Sequence, residues 1–322
     1  MISVVIVTYP RSESVIRCIQ SIAAAADEIV VVIDGEPAVV AGALEVLQKS
    51  IPTLRIIKQH VSCKGSARNA GCLAATGDII YFLDDDVRAS PEIVALVAKK
   101  FQLYPSADVI GGPNLTPAES SRFQKTAGLI LASPFVSFSM SRRYAAHGQD
   151  RISTDRPLIL CNLAMRRSLF SGDGHRFDER LHYNEENLLL WQIARAGGRM
   201  MYCPDLAVYH DRRAALLPFA RQVFGSGKGR AVMSIIAPLS FSAVFAMPAL
   251  LVGYIVFAML NPTTLRVIPL AIYVLYVILS AYLSACGTKE RLIALLLIPV
   301  AHTAYGAGFI TGIVSGSWKT KK

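Results

Sequence analysis

The chain has 322 residues, a formal net charge of +10 and an apolar fraction of 53%, which is above the usual range for a soluble domain. This apolar excess is concentrated near the C-terminus and argues against a wholly soluble protein. No nucleic-acid-binding motif accompanies the basic side chains, so their surplus favours anionic lipid headgroups or a phosphorylated lipid over nucleic acid. A basic flank that keeps one side of a membrane protein in the cytoplasm is the alternative explanation.

The first hundred residues alternate short β-rich runs with helical stretches. The N-terminal run MISVVIVTYP is too short to span a membrane and lacks the features of a signal peptide, so it is predicted to be the first strand. The predicted strands are Ile2–Thr8, Ile29–Ile33, Leu54–Lys58 and Ile79–Leu83. The predicted helices are Ser14–Ala26, Ala38–Gln48 and Ser66–Ala75. This order is typical of a mostly parallel α/β sheet covered by helices on both faces.

Polar residues follow three of these predicted strands: Thr8-Tyr9-Pro10, Asp34-Gly35 and the run Asp84 to Asp86. In open parallel sheets, ligands bind at the carboxyl ends of the strands. We therefore expect the three strand ends to meet in one crevice.

The acidic run in YFLDDDV places three carboxylates at the end of a buried strand. Like charges packed together are costly unless a cation compensates them. A divalent metal, Mg or Mn, would do so and would stabilise a departing diphosphate. A solvated acidic turn before the next helix explains this run equally well when it is considered alone.

Residues 111–183 show little periodicity beyond a predicted helix at Phe123–Ala132. We expect them to shape the part of the site that binds the acceptor substrate. A clearer helix follows at Glu185–Ala196, with Asn184 as its predicted N-cap. Glu185 and Glu186 open this helix. Either could serve as a general base, although acidic residues at a helix start more often only complement the helix dipole.

The cysteines have no paired or metal-type spacing. They are Cys18, Cys63, Cys72, Cys161, Cys203 and Cys286. A domain that precedes the membrane spans would remain in the reducing cytosol, so free thiols are expected.

Taken together, these motifs resemble the family 2 glycosyltransferases, inverting enzymes with the Rossmann-like GT-A fold. The resemblance covers roughly Ile2 to Arg230. Lys64-Gly65 and the run Ala67 to Gly71 are similar to the family's loop and helix over the nucleotide, and Asp84 to Asp86 resembles its aspartate-any-aspartate motif. The implied fold is a GT-A catalytic domain followed by transmembrane helices.

The resemblance also implies roles for individual residues. The implied nucleotide-binding residues are Thr8, Tyr9, Pro10, Asp34, Lys64, Arg68, Asp84 and Asp85. Asp86 would hold the metal, and His210 in VYHDRR lies where some members place a second metal or diphosphate contact. The catalytic base falls at Glu186. Because the family usually has glutamate followed by aspartate here, the choice between Glu185 and Glu186 stays open.

The glycine-rich basic segment FARQVFGSGKGR, Phe219 to Arg230, resembles the junction in members that act on polyprenyl-linked acceptors, such as glucosyltransferases of bacterial exopolysaccharide assembly. The predicted contacts to acceptor or diphosphate are Asn162, Arg221, Lys228 and Arg230. An interfacial anchor is the alternative reading of the segment. Processive members carry Gln-x-x-Arg-Trp, whereas Gln192 to Arg195 is followed here by Ala196, which favours a non-processive enzyme.

Three uncharged stretches near the C-terminus are each long enough to cross a bilayer: Ala231–Asn261, Val267–Cys286 and Leu292–Ser317. Three spans would place the terminal WKTKK against the positive-inside tendency, so one stretch is expected to be interfacial or re-entrant. The sequence thus predicts a catalytic domain over 1–213, a basic interfacial segment over 214–230, and two to three spans over 231–322. Gly308, Gly312 and Gly316 are spaced for close helix packing, within the chain or in a homo-oligomer.

These observations predict a multi-pass membrane enzyme with a cytoplasmic catalytic domain. It would transfer a sugar, with inversion and metal dependence, from a nucleotide-diphosphate donor, most readily a UDP-sugar, to a lipid-linked glycan. Two alternatives remain: a synthase that makes polyprenyl-phosphate sugars, and a catalytically inactive, nucleotide-binding membrane scaffold.

Overall fold

A computed structural model of the protein describes residues 1–9, 14–35, 40–60, 63–260, 263–285 and 287–315. The chain divides into two compact units. The sheet unit comprises Met1–Pro117, Arg142–Glu179 and Glu186–Asp211. The helical unit comprises Ala118–Ser141, Arg180–Glu185 and Arg212–Lys322. Residues 118–141 and 180–185, which the sequence analysis assigned to the catalytic domain, therefore group with the C-terminal helices.

The elements occur in the following order. The strands are β1 (Ile2–Thr8), β2 (Glu28–Asp34), β3 (Leu54–Gln59), β4 (Ile79–Asp84), β5 (Val87–Arg88), β6 (Val109–Gly111), β7 (Asn114–Leu115), β8 (Arg151–Ser153), β9 (Asn162–Arg166), β10 (Met200–Tyr202) and β11 (Val208–His210). The helices are α1 (Ser14–Ile22), α2 (Val40–Ser50), α3 (Lys64–Ala74), α4 (Ile93–Leu103), α5 (Arg122–Ala132), α6 (Pro134–Ser137), α7 (Glu185–Arg195), α8 (Leu216–Ile236), α9 (Ala243–Leu260), α10 (Thr264–Ser284) and α11 (Thr288–Val314).

The main sheet has the strand order β3-β2-β1-β4-β9-β6-β10-β8. Strands β1 to β4 are parallel, and β9 runs antiparallel between β4 and β6. Every residue of β2 is buried, as expected for a Val- and Ile-rich strand covered on both faces. One core packs α1, α2 and α4 against the sheet, and a second packs α3 and α7 on the other face. The predicted GT-A architecture is confirmed.

A second sheet, of strand order β5-β11-β7, follows the acidic run. In it, His210 of β11 pairs with Val87 of β5 in an antiparallel register. Val87 directly follows Asp86 in the chain. This pairing therefore brings His210 next to the acidic run, although more than 120 residues separate them.

Some predicted boundaries differ from the structure. Helix α1 ends at Ile22 instead of Ala26, and α3 begins at Lys64 instead of Ser66. Of the six cysteines, the five that the structure describes are free and buried, as predicted, whereas Cys286 lies outside the described residues.

Three helices of the helical unit are long and apolar enough to cross a membrane by length and composition: Ala243–Leu260, Val267–Ser284 within α10, and Thr288–Val314. The first begins later than predicted, because α8 runs without interruption through residue 231 to Ile236 and a short turn at Pro238–Ser240 separates it from α9. The basic segment predicted at 214–230 is thus most of one long helix.

Glycines bring α8 and α11 into close contact. A methyl group added at Gly308 would overlap the carbonyl oxygen of Phe224, and one added at Gly312 would lie 2.6 Å from the carbonyl oxygen of Lys228. These two glycines therefore pack helices within the chain. Gly316 lies outside the described residues.

We expect Gly308→Ala to destabilise the helical unit by about 1–3 kcal/mol, because the added methyl group forces two packed backbones apart. Gly253→Ala in α9 is the matched control, since no atom lies within 4 Å of its added methyl group. Thermal unfolding of detergent-purified protein measures the difference. Equal midpoints for the two variants would contradict this packing.

Candidate active site

The carboxyl ends of β1 and β4 bring several predicted nucleotide-binding residues together. Val7 pairs with Asp84, and the hydroxyl of Thr8 donates a hydrogen bond to Asp85 Oδ2 at 2.8 Å. Arg68 is buried in α3, with Nη2 3.6 Å from Asp84 Oδ1. These contacts define the centre of the predicted crevice.

The remaining predicted nucleotide residues flank this centre. Asp34 ends β2 and is fully buried. Tyr9 directly follows β1, and Lys64 begins α3; both are half-buried. Pro10 lies outside the described residues.

Asp84, Asp86 and His210 form a cluster whose potential ligand atoms all lie within 4.8 Å of one another. His210 Nε2 is 3.1 Å from Asp86 Oδ1. Asp84 and Asp86 are partly accessible, with 38% and 23% of their side chains exposed, whereas His210 is mostly buried, with 11% exposed. Two carboxylates and an imidazole are a donor set that fits a divalent transition metal.

The thiol of Cys18 reports the electrostatic potential beside this cluster. Its sulfur lies 3.5 Å from the carbonyl oxygen of Asp84. Burial raises the pKa of Cys18 well above its ordinary value, and the charges of Asp85, Asp86 and Asp84 raise it further. The Cys18 thiol therefore stays protonated beside these carboxylates.

A second group, Asp150, Cys203 and Asp205, has similar spacing but different chemistry. Lys100 Nζ lies 2.6 Å from a carboxylate oxygen of each aspartate. Although burial alone would lower the pKa of Lys100, its hydrogen bonds to the two aspartates raise it. Burial raises the pKa of Cys203 to about 12, so the thiol stays protonated and is a poor ligand. An internal ammonium thus already offsets part of the negative charge of this group.

Glu186 is the second residue of α7 and is 9% exposed. Asn187 Nδ2 donates a hydrogen bond to Glu186 Oε1 at 2.6 Å. Arg143 Nη2 donates to Asn187 Oδ1 at 3.1 Å, and Arg143 Nη1 is 3.9 Å from Glu186 Oε1. The Arg143 guanidinium is itself held by the carbonyl oxygen of Arg156. The carboxylate is therefore oriented by an amide and a buried cation.

Sequence reasoning missed Arg143 and Asn187. Asn187 could have been suspected from its position next to the Glu-Glu pair. Arg143 carried no signal, because it lies in the region where no periodicity identified neighbouring elements.

The residues before Glu186 are held by α8 within the helical unit. Asn184 was predicted to be an N-cap, but its φ of 63° is not the extended conformation typical of a cap. Instead, its side-chain amide donates to the carbonyl oxygen of Ser226 at 2.8 Å. Gly225 and Gly229 leave space for Tyr183, which a methyl group at either position would overlap. Glu185, the last residue of this segment, is 4% exposed.

Two of the four predicted acceptor contacts, Asn162 and Arg230, are buried side chains. Asn162 is 1% exposed; it accepts a hydrogen bond from Tyr81 and donates to the carbonyl oxygens of Pro113 and Leu206. Its amide is thus engaged in hydrogen bonds within the sheet unit, and its contact with acceptor or diphosphate stays a prediction. Arg230 is also buried, with its guanidinium 4.3 Å from the ring centroid of Phe245.

The other two predicted acceptor contacts, Arg221 and Lys228, line a groove of about 410 Å³ in the helical unit. Tyr183 and Phe224 contribute aromatic surface to the same groove. The groove thus combines an apolar wall with two basic side chains.

The sequence profile of glycosyl transferase family 2 matches residues 3–171, more than half of the chain. This chain belongs to glycosyl transferase family 2. The match covers Asp84 and Asp86 with the strands β1 and β4, ends before Glu186 and His210, and confirms the predicted enzyme class.

Two curated proteins similar to this glycosyltransferase are the pre-mycofactocin glycosyltransferases of Mycobacterium tuberculosis strains CDC 1551 / Oshkosh and ATCC 25618 / H37Rv. Each is 26% identical over 187 residues, which covers 53% of this chain and 35% of the relative. The chain thus matches about a third of the length of these relatives. Among solved structures, the mannosyltransferase PcManGT from Pyrobaculum calidifontis, in complex with GDP-Man and Mn2+, has a TM-score of 0.66 and 14% identity, covering 98% of this chain and 87% of that one. That likeness supports the shared fold.

We expect the purified glycosyltransferase to bind one Mn²⁺ at Asp84, Asp86 and His210. His210→Ala should weaken this binding at least about tenfold, or ~1.4 kcal/mol, because a ligand is lost. Asp205→Asn is the matched control, since the Lys100 ammonium already lies 2.6 Å from the Asp205 carboxylate. Titration followed by electron paramagnetic resonance measures free Mn²⁺. If Asp205→Asn weakened Mn²⁺ binding and His210→Ala did not, the ion would bind at Asp150, Cys203 and Asp205, and the prediction would be wrong.

Proposed function

We propose that this family 2 glycosyltransferase transfers a sugar, with inversion at the anomeric carbon, from a nucleotide-diphosphate donor to a hydroxyl of a lipid-linked acceptor. The observation that carries this proposal is the cluster of Asp84, Asp86 and His210 at the carboxyl edge of the sheet. Ligands of such sheets bind at that edge.

A divalent metal held by this cluster would supply positive charge that stabilises the departing diphosphate. The imidazole of His210 favours Mn²⁺ over Mg²⁺, because Mg²⁺ prefers an all-oxygen shell. The Mn2+ in the PcManGT complex agrees with this preference, although the two chains share only the fold.

The nucleotide is proposed to lie along Thr8, Asp34, Arg68 and the Asp84–Asp85 pair, with Tyr9, Pro10 and Lys64 at its margins. Arg68 would balance Asp84, and Thr8 would fix the rotamer of Asp85. A UDP-sugar remains the predicted donor. Because PcManGT was solved with GDP-Man, a GDP-sugar is the donor to test beside the UDP-sugar.

Glu186 is proposed as the base, a role favoured over Glu185 by the hydrogen bond from Asn187 and the nearby Arg143 guanidinium. As the acceptor oxygen bonds to the anomeric carbon, the bond from that carbon to the diphosphate oxygen breaks. The acceptor proton passes to Glu186, and the electron pair of the broken bond leaves with the nucleoside diphosphate. A single displacement of this kind inverts the anomeric configuration.

The groove of Tyr183, Arg221, Phe224 and Lys228 supports a lipid-linked acceptor. Its aromatic side chains suit a hydrocarbon chain, and its basic side chains suit a phosphate. The three apolar helices support multi-pass membrane attachment, with the sheet unit proposed to face the cytoplasm.

We expect Glu186→Gln to lower kcat by about 10²- to 10⁴-fold while leaving donor binding unchanged, because the amide cannot accept the acceptor proton. Glu185→Gln, the matched neighbour, should lower kcat far less. Steady-state kinetics and donor titration on both variants measure the two effects. The reverse ranking would move the base to Glu185.

Arg143→Met should lower kcat by about 10- to 100-fold with little change in the donor KM, because Asn187 and Glu186 lose the guanidinium that orients them. Arg142→Met is the control, since Arg142 is adjacent and exposed. Arg143→Lys restores the charge without the planar pair of donors and should be intermediate. A parallel loss of kcat in both Met variants would argue against this orienting role.

The product distinguishes the proposal from its rivals. We would incubate the enzyme with radiolabelled UDP- or GDP-sugars and either polyprenyl phosphate or a polyprenyl-diphosphate-linked sugar. A product formed only on the second acceptor, whose new bond survives mild acid, supports the proposal. An acid-labile product on polyprenyl phosphate identifies the synthase, and nucleotide binding with no transfer identifies a scaffold.

A further inference from the structure

The stretch between Lys125 and Arg142 is the longest uncharged run before the C-terminal region. Its 16 residues, 126–141, read TAGLILASPFVSFSMS. A spanning helix needs about 20 residues, so a shorter run is a core helix, an interfacial segment or a re-entrant one. The flanking side chains, Lys125 and Arg142, are both exposed. Basic residues at the ends of membrane segments commonly reach the lipid headgroups.

The structure separates this stretch from the core of the sheet unit. The chain leaves the sheet unit at Pro117 and returns to it at Arg142. Between these points, Ala127 and Ile130 of α5 pack in one cluster with Ala281 of α10 and Leu297 of α11. The stretch is therefore packed on the helices that are long and apolar enough to cross a membrane.

Two polar contacts show which parts of α10 and α11 lie beside the stretch. Arg122 Nε lies 3.0 Å from Glu290 Oε1 in the first turn of α11. The hydroxyl of Tyr276 donates a hydrogen bond to the carbonyl oxygen of Phe135. Tyr276 is near the middle of the apolar window Val267–Ser284. The stretch thus begins at the charged end of one apolar helix and reaches the middle of another.

The hydrogen bond at Phe135 would matter in a hydrocarbon environment. Phe135 lies in the four-residue helix α6, which is too short to pair most of its own carbonyl groups, and backbone groups in hydrocarbon must be satisfied within the protein. The Tyr276 hydroxyl satisfies one such carbonyl. The amides of Ser133, Val136 and Ser137 bond to carbonyls within the same stretch.

Three large apolar side chains of the stretch are exposed, together with Ser139. Leu129, Phe135 and Phe138 are 37%, 43% and 42% exposed. Ile272 and Leu279, which lie one turn on either side of Tyr276 on the same helix face, are 62% and 51% exposed. Such contiguous apolar surface is rare in water and marks a membrane or partner surface. Its continuity with an apolar helix selects lipid as the occupant.

We infer that residues 126–141 form a re-entrant segment embedded in the membrane, whose outer side chains contact lipid acyl chains. The segment begins after Arg122 and Lys125 and ends at Ser141, and the chain rejoins the sheet unit at Arg142. Arg143, which orients Asn187 beside Glu186, follows it directly. This inference does not depend on the transfer reaction.

Tryptophan quenching tests the segment in the full-length protein. Trp191 and Trp318, the two native tryptophans, are replaced by Phe. Single tryptophans are then introduced as Phe138→Trp or Leu129→Trp, and the protein is reconstituted in phosphatidylcholine vesicles with brominated acyl chains. Leu275→Trp on exposed α10 surface is the lipid reference, and Ala118→Trp before the segment is the aqueous reference.

We expect brominated lipid to reduce the fluorescence of Phe138→Trp and Leu129→Trp at least twofold, as for Leu275→Trp, and aqueous iodide to quench only Ala118→Trp. Two segment positions are used so that one misfolded variant does not decide the result. Quenching of both by iodide and not by brominated lipid would overturn the inference. The inference would also be overturned if brominated lipid did not quench the fluorescence of Leu275→Trp. No outcome depends on catalytic activity, so failure here is separate from failure of the proposed reaction.

Discussion

Like charges at one strand end set the main constraint on this molecule. Asp84, Asp85 and Asp86 follow a buried strand, and their repulsion must be offset by nearby groups. The protein offsets part of it through Arg68 and the Thr8 hydroxyl. The pairing of His210 with Val87 then places an imidazole nitrogen 3.1 Å from an Asp86 carboxylate oxygen. The surrounding topology, including the second sheet, serves to bring these distant residues together.

The sheet could be predicted from sequence because its parallel strands are continuous Val and Ile runs that end in polar residues. The aspartate cluster could be predicted for the same reason. Strand β9 and the grouping of residues 118–141 with the C-terminal helices could not, since neither has a periodicity that identifies its partners. The hydrogen bonds of the Asn162 amide to the carbonyl oxygens of Pro113 and Leu206 could not be predicted either, because the three residues are far apart in sequence.

The Glu-Glu pair shows how two adjacent residues can differ. Glu185 ends a segment held by α8 through Asn184 and Tyr183, whereas Glu186 begins the part of α7 that belongs to the sheet unit. Asn187 donates a hydrogen bond to Glu186, and the Arg143 guanidinium lies 3.9 Å from the same carboxylate. These contacts, which no spacing rule contains, support the proposal of Glu186 as the base.

The central claim is that the aspartate–histidine cluster couples a metal to a nucleotide diphosphate. Calorimetric titration of UDP and GDP tests it most directly, on wild type and Asp86→Ala in detergent, with Mn²⁺ or with a chelator. The account predicts that one nucleotide binds with Mn²⁺ and that both the chelator and Asp86→Ala abolish this binding. Failure of both nucleotides to bind wild type in Mn²⁺, or equal binding with chelator, would contradict it.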